Sequence, residues 1–247
     1  MTGDVTHRGR LAEAREELAA LRDAERRWLA GHPYRLVHEH DMRAGEYRVR
    51  AHLATPLPTA ILGMVEQVAR ELRASLDALA TGLAGAPAKF PIFETLAEFA
   101  QRSRKSLRTM PDEAQAAIEA LQPYHAIGGY RNGPLWLLDQ LASAERPRLA
   151  AGAVREGAEL GVNTRRKVDV GELVVNAGAF DDGAVVAAAR STVVGPDPKL
   201  DLYFRTEFAL AFEKRGIARG REVVALLGEL AEHVEREVFA PLEDRGP

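Results

Sequence analysis

The sequence predicts an α+β fold, mainly a helical bundle with a small antiparallel sheet. Three observations predict it. Residues 55–150 carry apolar side chains at helical spacing. Two other runs, 34–54 and 165–214, alternate with period two. Amphipathic stretches at 8–30 and 217–239 lie outside these runs. The chain has 247 residues, 46% of them hydrophobic and 28% charged, which is ordinary globular composition and enough to bury a core without staples.

The elements follow in order. Leu11, Leu18, Leu21, Trp28 and Leu29 lie near helical spacing, so 8–30 reads as a long helix that ends at the Gly-His-Pro of 31–33. Tyr34, Leu36, His38 and His40 then alternate with Arg35, Val37 and Glu39. Tyr47, Val49, Ala51 and Leu53 alternate with Arg48, Arg50 and His52. A glycine turn between the two runs makes 34–41 and 46–54 a β-hairpin. Residues 59–84 form a helix with Leu72, Leu76, Leu79 and Leu83 on one face. Thr95 and Glu98 make a capping box for a helix that runs to about Leu107. A short helix follows Pro111, with acids in its first turn. A glycine-rich loop over 123–134 precedes a helix through "LWLLDQLASAE", which Pro147 ends or kinks.

Beyond about residue 165 the period returns to two. "VDVGELVVNAG" and "GAVVAAARSTVV" flank an Asp-Asp-Gly turn. Leu202, Phe204, Thr206, Phe208, Leu210 and Phe212 alternate with Tyr203, Arg205, Glu207, Ala209, Ala211 and Glu213. This predicts a three-stranded antiparallel meander with one apolar face, followed by a helix over 217–239 with Val223, Val224, Leu227, Leu230 and Val234 inward. If the two β segments share one sheet, residues 1–247 form a single α+β domain.

Composition also narrows the function. The net charge of −3 is spread along the chain, which disfavours a global nucleic-acid surface. The absence of cysteine excludes disulfides, thiolate metal sites and a cysteine nucleophile. The first thirty residues are charged and amphipathic, unlike a signal peptide, and no run approaches the roughly 20 apolar residues of a membrane span. The expectation is a cytoplasmic protein with no membrane partner and no cofactor. Phosphate-loop, nucleophile-elbow, zinc-protease and dinucleotide motifs do not occur.

Several residues carry chemistry. Arg73 and Asp77 stand one helical turn apart, either as a surface ion pair or as a polar cluster in which Asp77 aims Arg73 at an anion. Arg102, Arg104, Lys105 and Arg108 make a short basic run, suited to phosphates or to a solvated helix face. His38 and His40 share a strand face with Tyr47 opposite, and no third ligand accompanies them, so no metal site is expected. His125, beside the glycine-rich loop, and His32, five residues after Arg27, are the weak candidates for acid–base catalysis.

Four fragments, "LRASLDALA" (72–80), "FPIF" (90–93), "IEALQPYH" (118–125) and "PLWLLDQLASAERPRL" (134–149), resemble in order and spacing a family of uncharacterised bacterial proteins with a HEPN-like helical fold. The resemblance covers roughly residues 55–150. HEPN nucleases carry Arg-x4–6-His on a helix and pair two subunits, with histidine transferring a proton at the ribose hydroxyl and arginine holding the phosphate. Mapped onto this sequence, Arg73 and Asp77 match the first fragment. The nuclease histidine falls on Ala78 and an upstream histidine on Arg70. In the last fragment Arg148 matches, while Glu145, Arg146 and Pro147 replace aspartate, lysine and histidine. Alanine cannot move protons. The resemblance therefore implies a degenerate, non-catalytic relative, a homodimer that binds RNA, a nucleotide or a protein partner through its helical seam. Its ligand group is Arg70, Arg73, Asp77, Asp139, Glu145, Arg146 and Arg148. The alternatives are a metal-independent ribonuclease that uses His125 or His32, and a purely structural or interaction module.

Overall fold

The structure is a computed structural model. It describes residues 6–41, 43–103, 107–144, 148–157, 159–163, 170–191 and 201–243. The fold is α+β, about half helical, with antiparallel strands. The described chain groups into two compact units. One is drawn from 1–22, 59–147 and 224–247, the other from 23–58 and 148–223.

The first unit is helical. Helix α1 spans His7–Ala30 and contributes Leu11, Leu18 and Leu21 to this unit's buried set. Helix α2, Thr59–Ala84, buries Leu72, Leu76, Leu79 and Leu83 along one stripe, as the leucine spacing predicts. Helix α3 covers Leu96–Arg102. Its Thr95 cap is in place, with Oγ1 accepting the Glu98 N–H at 3.2 Å. Ser103 is its cap, its N–H bonded to the Phe99 carbonyl, and Leu107, the predicted end of the helix, is helical with its N–H on the Ser103 carbonyl at 2.9 Å. Helix α4, Asp112–Ala120, leads into two 3-10 turns, Pro123–His125 and Tyr130–Asn132, where a plain loop was expected. Helix α5 covers Pro134–Ser143. Pro147 lies outside the described residues. Helix α6, Val223–His233, continues through a π-helical stretch, Val234–Phe239, into a last turn, Ala240–Glu243. It begins at Val223 instead of 217, because 215–220 is occupied by turns with Arg219 and Gly220 at positive φ. Val223, Leu227, Leu230 and Val234 are buried and Val224 is half-buried. Arg8 and Arg15 bind Glu243 and Glu235, and Arg10 binds Glu71 at 2.9 Å.

The second unit holds the strands. Strands β1 (Tyr34–Asp41) and β2 (Glu46–Leu53) form the predicted hairpin. The others are β3 (Gly152–Val154), β4 (Glu159–Asn163), β5 (Val170–Val175), β6 (Gly178–Phe180), β7 (Ala184–Ser191), β8 (Asp201–Arg205) and β9 (Phe208–Ala209). The largest sheet has the order β1-β2-β7-β5, so the hairpin and the later strands do share a sheet. Its core is Tyr47, Val49, Ala51, Val186, Ala187 and Ala189, with Val154 and Phe180 against it.

The three-stranded meander is corrected. Strand β7 has β2 on one side and β5 on the other, so neither of its edges is free for 201–205. Strand β8 pairs with β4 instead, and β9 with β3, which also takes β6. The single greasy face beyond residue 208 also fails: Ala209 through Phe212 are all buried. Glu25, 5% exposed, accepts the Leu210 N–H at 2.7 Å. A buried carboxylate thus serves a backbone donor that a ladder would otherwise take. Gly152 has a steric role, since a Cβ there would run into the Tyr34 hydroxyl and the Phe180 ring.

Candidate functional site

The site grows from the polar edge of α2. Arg73, Asp77 and Thr81 stand at i, i+4 and i+8, beside the leucine stripe. Four residues of helix advance about 6.0 Å, and two residues of extended chain about 6.6 Å. A helix edge with polar groups every fourth residue can therefore serve alternate residues of an extended segment. The chain turns back after α2 and supplies that segment, running antiparallel.

Thr81 Oγ1 donates to the Ala88 carbonyl at 3.1 Å and accepts the Ala88 N–H at 3.2 Å. Asp77 Oδ1 accepts the Phe90 N–H at 2.9 Å, and Arg73 Nη2 donates to the Phe90 carbonyl at 2.9 Å. Arg73 also donates through Nη1 to Asp77 at 2.5 Å and through Nε to Asp139 of α5 at 3.0 Å. One guanidinium thus ties together α2, the returning segment and α5. Phe90, with no exposed surface, is held at both backbone groups while its ring fills the core.

The segment is held further along by residues with no strong mark in the sequence. Gln122, 2% exposed, donates to the carbonyls of Pro91 (2.9 Å) and Ile118 (3.0 Å), and its oxygen accepts the Phe93 N–H at 3.0 Å. Trp136 Nε1 donates to Glu94 at 2.8 Å. Gln122 lies inside the fragment "IEALQPYH", and a polar residue in an apolar helix end is the one local signal for it. Glu94 has no such signal.

The predicted ligand group comes together in part. Arg73, Asp77 and Asp139 form one cluster. Arg70 is apart from it, exposed and paired with Glu66 at 3.2 Å. Arg148 falls in the strand-containing unit, exposed, with its carbonyl accepting the Glu213 N–H at 3.1 Å. Glu145 and Arg146 lie outside the described residues. Ala78 is half-buried beside Asp77 and has nothing to titrate.

His125 is exposed on its 3-10 turn, its ring 4.4 Å from that of Tyr124. His32 is exposed at φ 50°. Among the described residues no carboxylate is hydrogen-bonded to either ring. His38 Nδ1 shares a hydrogen bond with the Tyr47 hydroxyl, and His40 flanks the same ring at 6.2 Å. Among the described residues no group of three metal-ligating side chains occurs. In the basic run, the Arg102 guanidinium lies 5.3 Å from the Phe93 ring centre and Arg108 is exposed. Arg104 and Lys105 lie outside the described residues. No helix among the described residues is long and apolar enough to cross a membrane.

The chemistry follows from the charges. Arg73 brings one positive charge, Asp77 and Asp139 two negative, so the cluster carries −1. Three N–H bonds of Arg73 already have acceptors, and its side chain is 17% exposed. A phosphate would meet a net negative group whose arginine is committed elsewhere. The arrangement latches a chain segment. No family model, no curated protein and no solved structure matches this chain.

Proposed function

We propose that this protein is non-catalytic and acts by binding: a HEPN-like helical scaffold whose motif arginine has become a structural latch. The observation that supports the reading is that each of the three guanidinium nitrogens of Arg73 has an acceptor, in Asp77, Asp139 and the Phe90 carbonyl, next to an alanine at 78. The four fragments of the resemblance meet around one segment through Arg73, Asp77, Gln122, Trp136 and Asp139, which gives them a structural role without a proton-transfer residue. The negative cluster favours a protein partner over RNA, and a second copy of the chain is the first partner to test.

The test has two parts. Purified protein is incubated with fluorescent single-stranded RNA and run on native and denaturing gels. Its mass in solution is measured by light scattering over a concentration series. The reading expects intact, unshifted RNA and a mass of two chains. Cleavage that disappears in His125→Ala or His32→Ala overturns it in favour of a ribonuclease. A shift without cleavage moves the ligand to nucleic acid, and a monomer at all concentrations removes self-association.

A further inference from the structure

The largest sheet leaves one long edge open. In the order β1-β2-β7-β5, β1 has a strand on one side only among the described residues. Open edges take up further strands, and folds defend them with bulges, prolines, lysines or short length. Strand β1 has none of these defences. All eight of its residues, Tyr34–Asp41, pair with β2 in unbroken register, and none is proline, glycine or lysine. The opposite edge, β5, slips register against β7 between Val170 and Leu173.

Hydrogen bonds at the ends of the ladder fix which backbone groups face outward. The Ala54 N–H bonds the Pro33 carbonyl at 2.7 Å, so 33 and 54 form a hydrogen-bonded pair. Such pairs alternate with non-bonded ones along an antiparallel ladder. Arg35, Val37, Glu39 and Asp41 therefore turn their backbone to β2, while Tyr34, Leu36, His38 and His40 turn theirs away from it. The Gly183 N–H on the Ala51 carbonyl at 2.9 Å agrees, because Ala51 stands opposite Leu36 and serves the β7 side. Among the described residues, no backbone group of Tyr34, Leu36, His38 or His40 has a hydrogen-bond partner.

The edge complements itself. A second β1 laid antiparallel, with Val37 on the twofold axis, sets Val37 against Val37, Arg35 against Glu39, Leu36 against His38 and Tyr34 against His40. Every outward backbone group is then used, two hydrogen bonds to each facing pair. Arg35 is exposed and has no acceptor among the described residues. Glu39 is exposed, and Arg50 takes only its Oε2, at 2.9 Å, which leaves Oε1 for a second guanidinium. Arg48, opposite Glu39 on β2, is turned to Glu46. Neighbouring registers do worse. An axis at His38 sets histidine on histidine and Val37 against Glu39. An axis at Leu36 sets Arg35 against Val37 and pushes Glu39 off the end of the strand, against Pro33.

We infer that two copies of this chain join edge to edge through β1, in the register centred on Val37, so that one antiparallel sheet runs across the dimer. The inference rests on the self-association proposed above and names the surface that carries it. Opposite charges facing across the strands and the aromatic pair of Tyr34 with His40 select the register. The contact is isologous, so the assembly closes at two chains.

The chain has no cysteine, so a single introduced thiol reports which positions meet. Val37 faces its own copy in a non-hydrogen-bonded pair, with Cα atoms about 4.5 Å apart, inside the roughly 4.4–6.8 Å that a disulfide spans. His40 stands six positions along the strands from its copy, about 20 Å, far outside that span. Full-length Val37→Cys and His40→Cys are mildly oxidised at low protein concentration and run on non-reducing gels. Val37→Cys is expected to give a covalent dimer and His40→Cys to stay a single chain. In parallel, the dimer dissociation constant is measured by light scattering for wild type, Arg35→Glu and His40→Pro. Arg35→Glu sets like charges face to face, and His40→Pro deletes an N–H that β2 does not use. Each is expected to weaken the dimer about tenfold, with the circular dichroism spectrum unchanged. A wild-type chain that stays monomeric overturns the inference together with self-association. A wild-type dimer that folded Arg35→Glu leaves as tight as before overturns the inference alone, and so does equal cross-linking at 37 and 40; both place the second copy on another face.

Discussion

Replacing Arg73 by alanine removes three hydrogen bonds at once. Two go to carboxylates, Asp77 and Asp139, whose side chains are 32% and 31% exposed. The third goes to the carbonyl of Phe90, a residue with no exposed surface. Hydrogen bonds to charged groups contribute about 1.5–3 kcal/mol each, and an abandoned buried carbonyl costs about 1–3 kcal/mol. The carboxylates are a third exposed, so water rehydrates them and their share falls toward the surface-pair range of about 0–1 kcal/mol each. The sum is a loss of about 2–4 kcal/mol. In a protein of this size that is a fall in melting temperature of roughly 5–15 °C. The assay is thermal and urea unfolding followed by circular dichroism. Arg70→Ala serves as the control, because Arg70 lies three residues away on the same helix and among the described residues pairs only with Glu66, so its change stays within about 0.5 kcal/mol. If Arg73→Ala were no more destabilising than Arg70→Ala, the latch would be refuted and Arg73 would be left for ligand contact. Arg73→Lys is the refinement: one ammonium cannot reach three divergent acceptors, so it recovers less than half the loss.

Two further predictions concern stability. Gln122→Leu keeps the volume but leaves the Pro91 carbonyl and the Phe93 N–H without their partner, so it costs about 2–4 kcal/mol, read as a lower urea midpoint with an unchanged slope. The second is a pH profile. Burial, partly opposed by Glu237, holds half-buried His233 below its ordinary value of 6.5. The unfolded chain therefore binds more protons just below that pH, and stability falls as pH drops through 6.5. The hydrogen bond from Arg15 holds Glu235, and that from Arg8 holds Glu243, below the usual 4.5, so their contribution is present above 4.5 and lost beneath it. Melting temperature against pH is expected to fall in two separate steps, and His233→Leu is expected to flatten the upper step alone.

The sequence by itself determined the local elements. The leucine spacing of α2, the alternation of the hairpin and the Thr95 cap are each set by neighbours within a turn or two, so period and capping chemistry suffice to read them. It also determined that Ala78 cannot shuttle protons. Strand partnership depended on the tertiary structure. Strands β3, β4 and β9 have three, five and two residues, too few to display a period, and which edge each one meets depends on edges already filled far away in sequence. The role of Arg73 was likewise hidden. Its spacing to Asp77 shows a pair, but whether that pair faces solvent, a ligand or the backbone of Phe90 is decided only when residues 13 to 66 positions away fold back onto the same helix edge. A side chain's partners are set by proximity in space, and unsatisfied backbone groups brought close by folding take the donors and acceptors that the sequence leaves uncommitted.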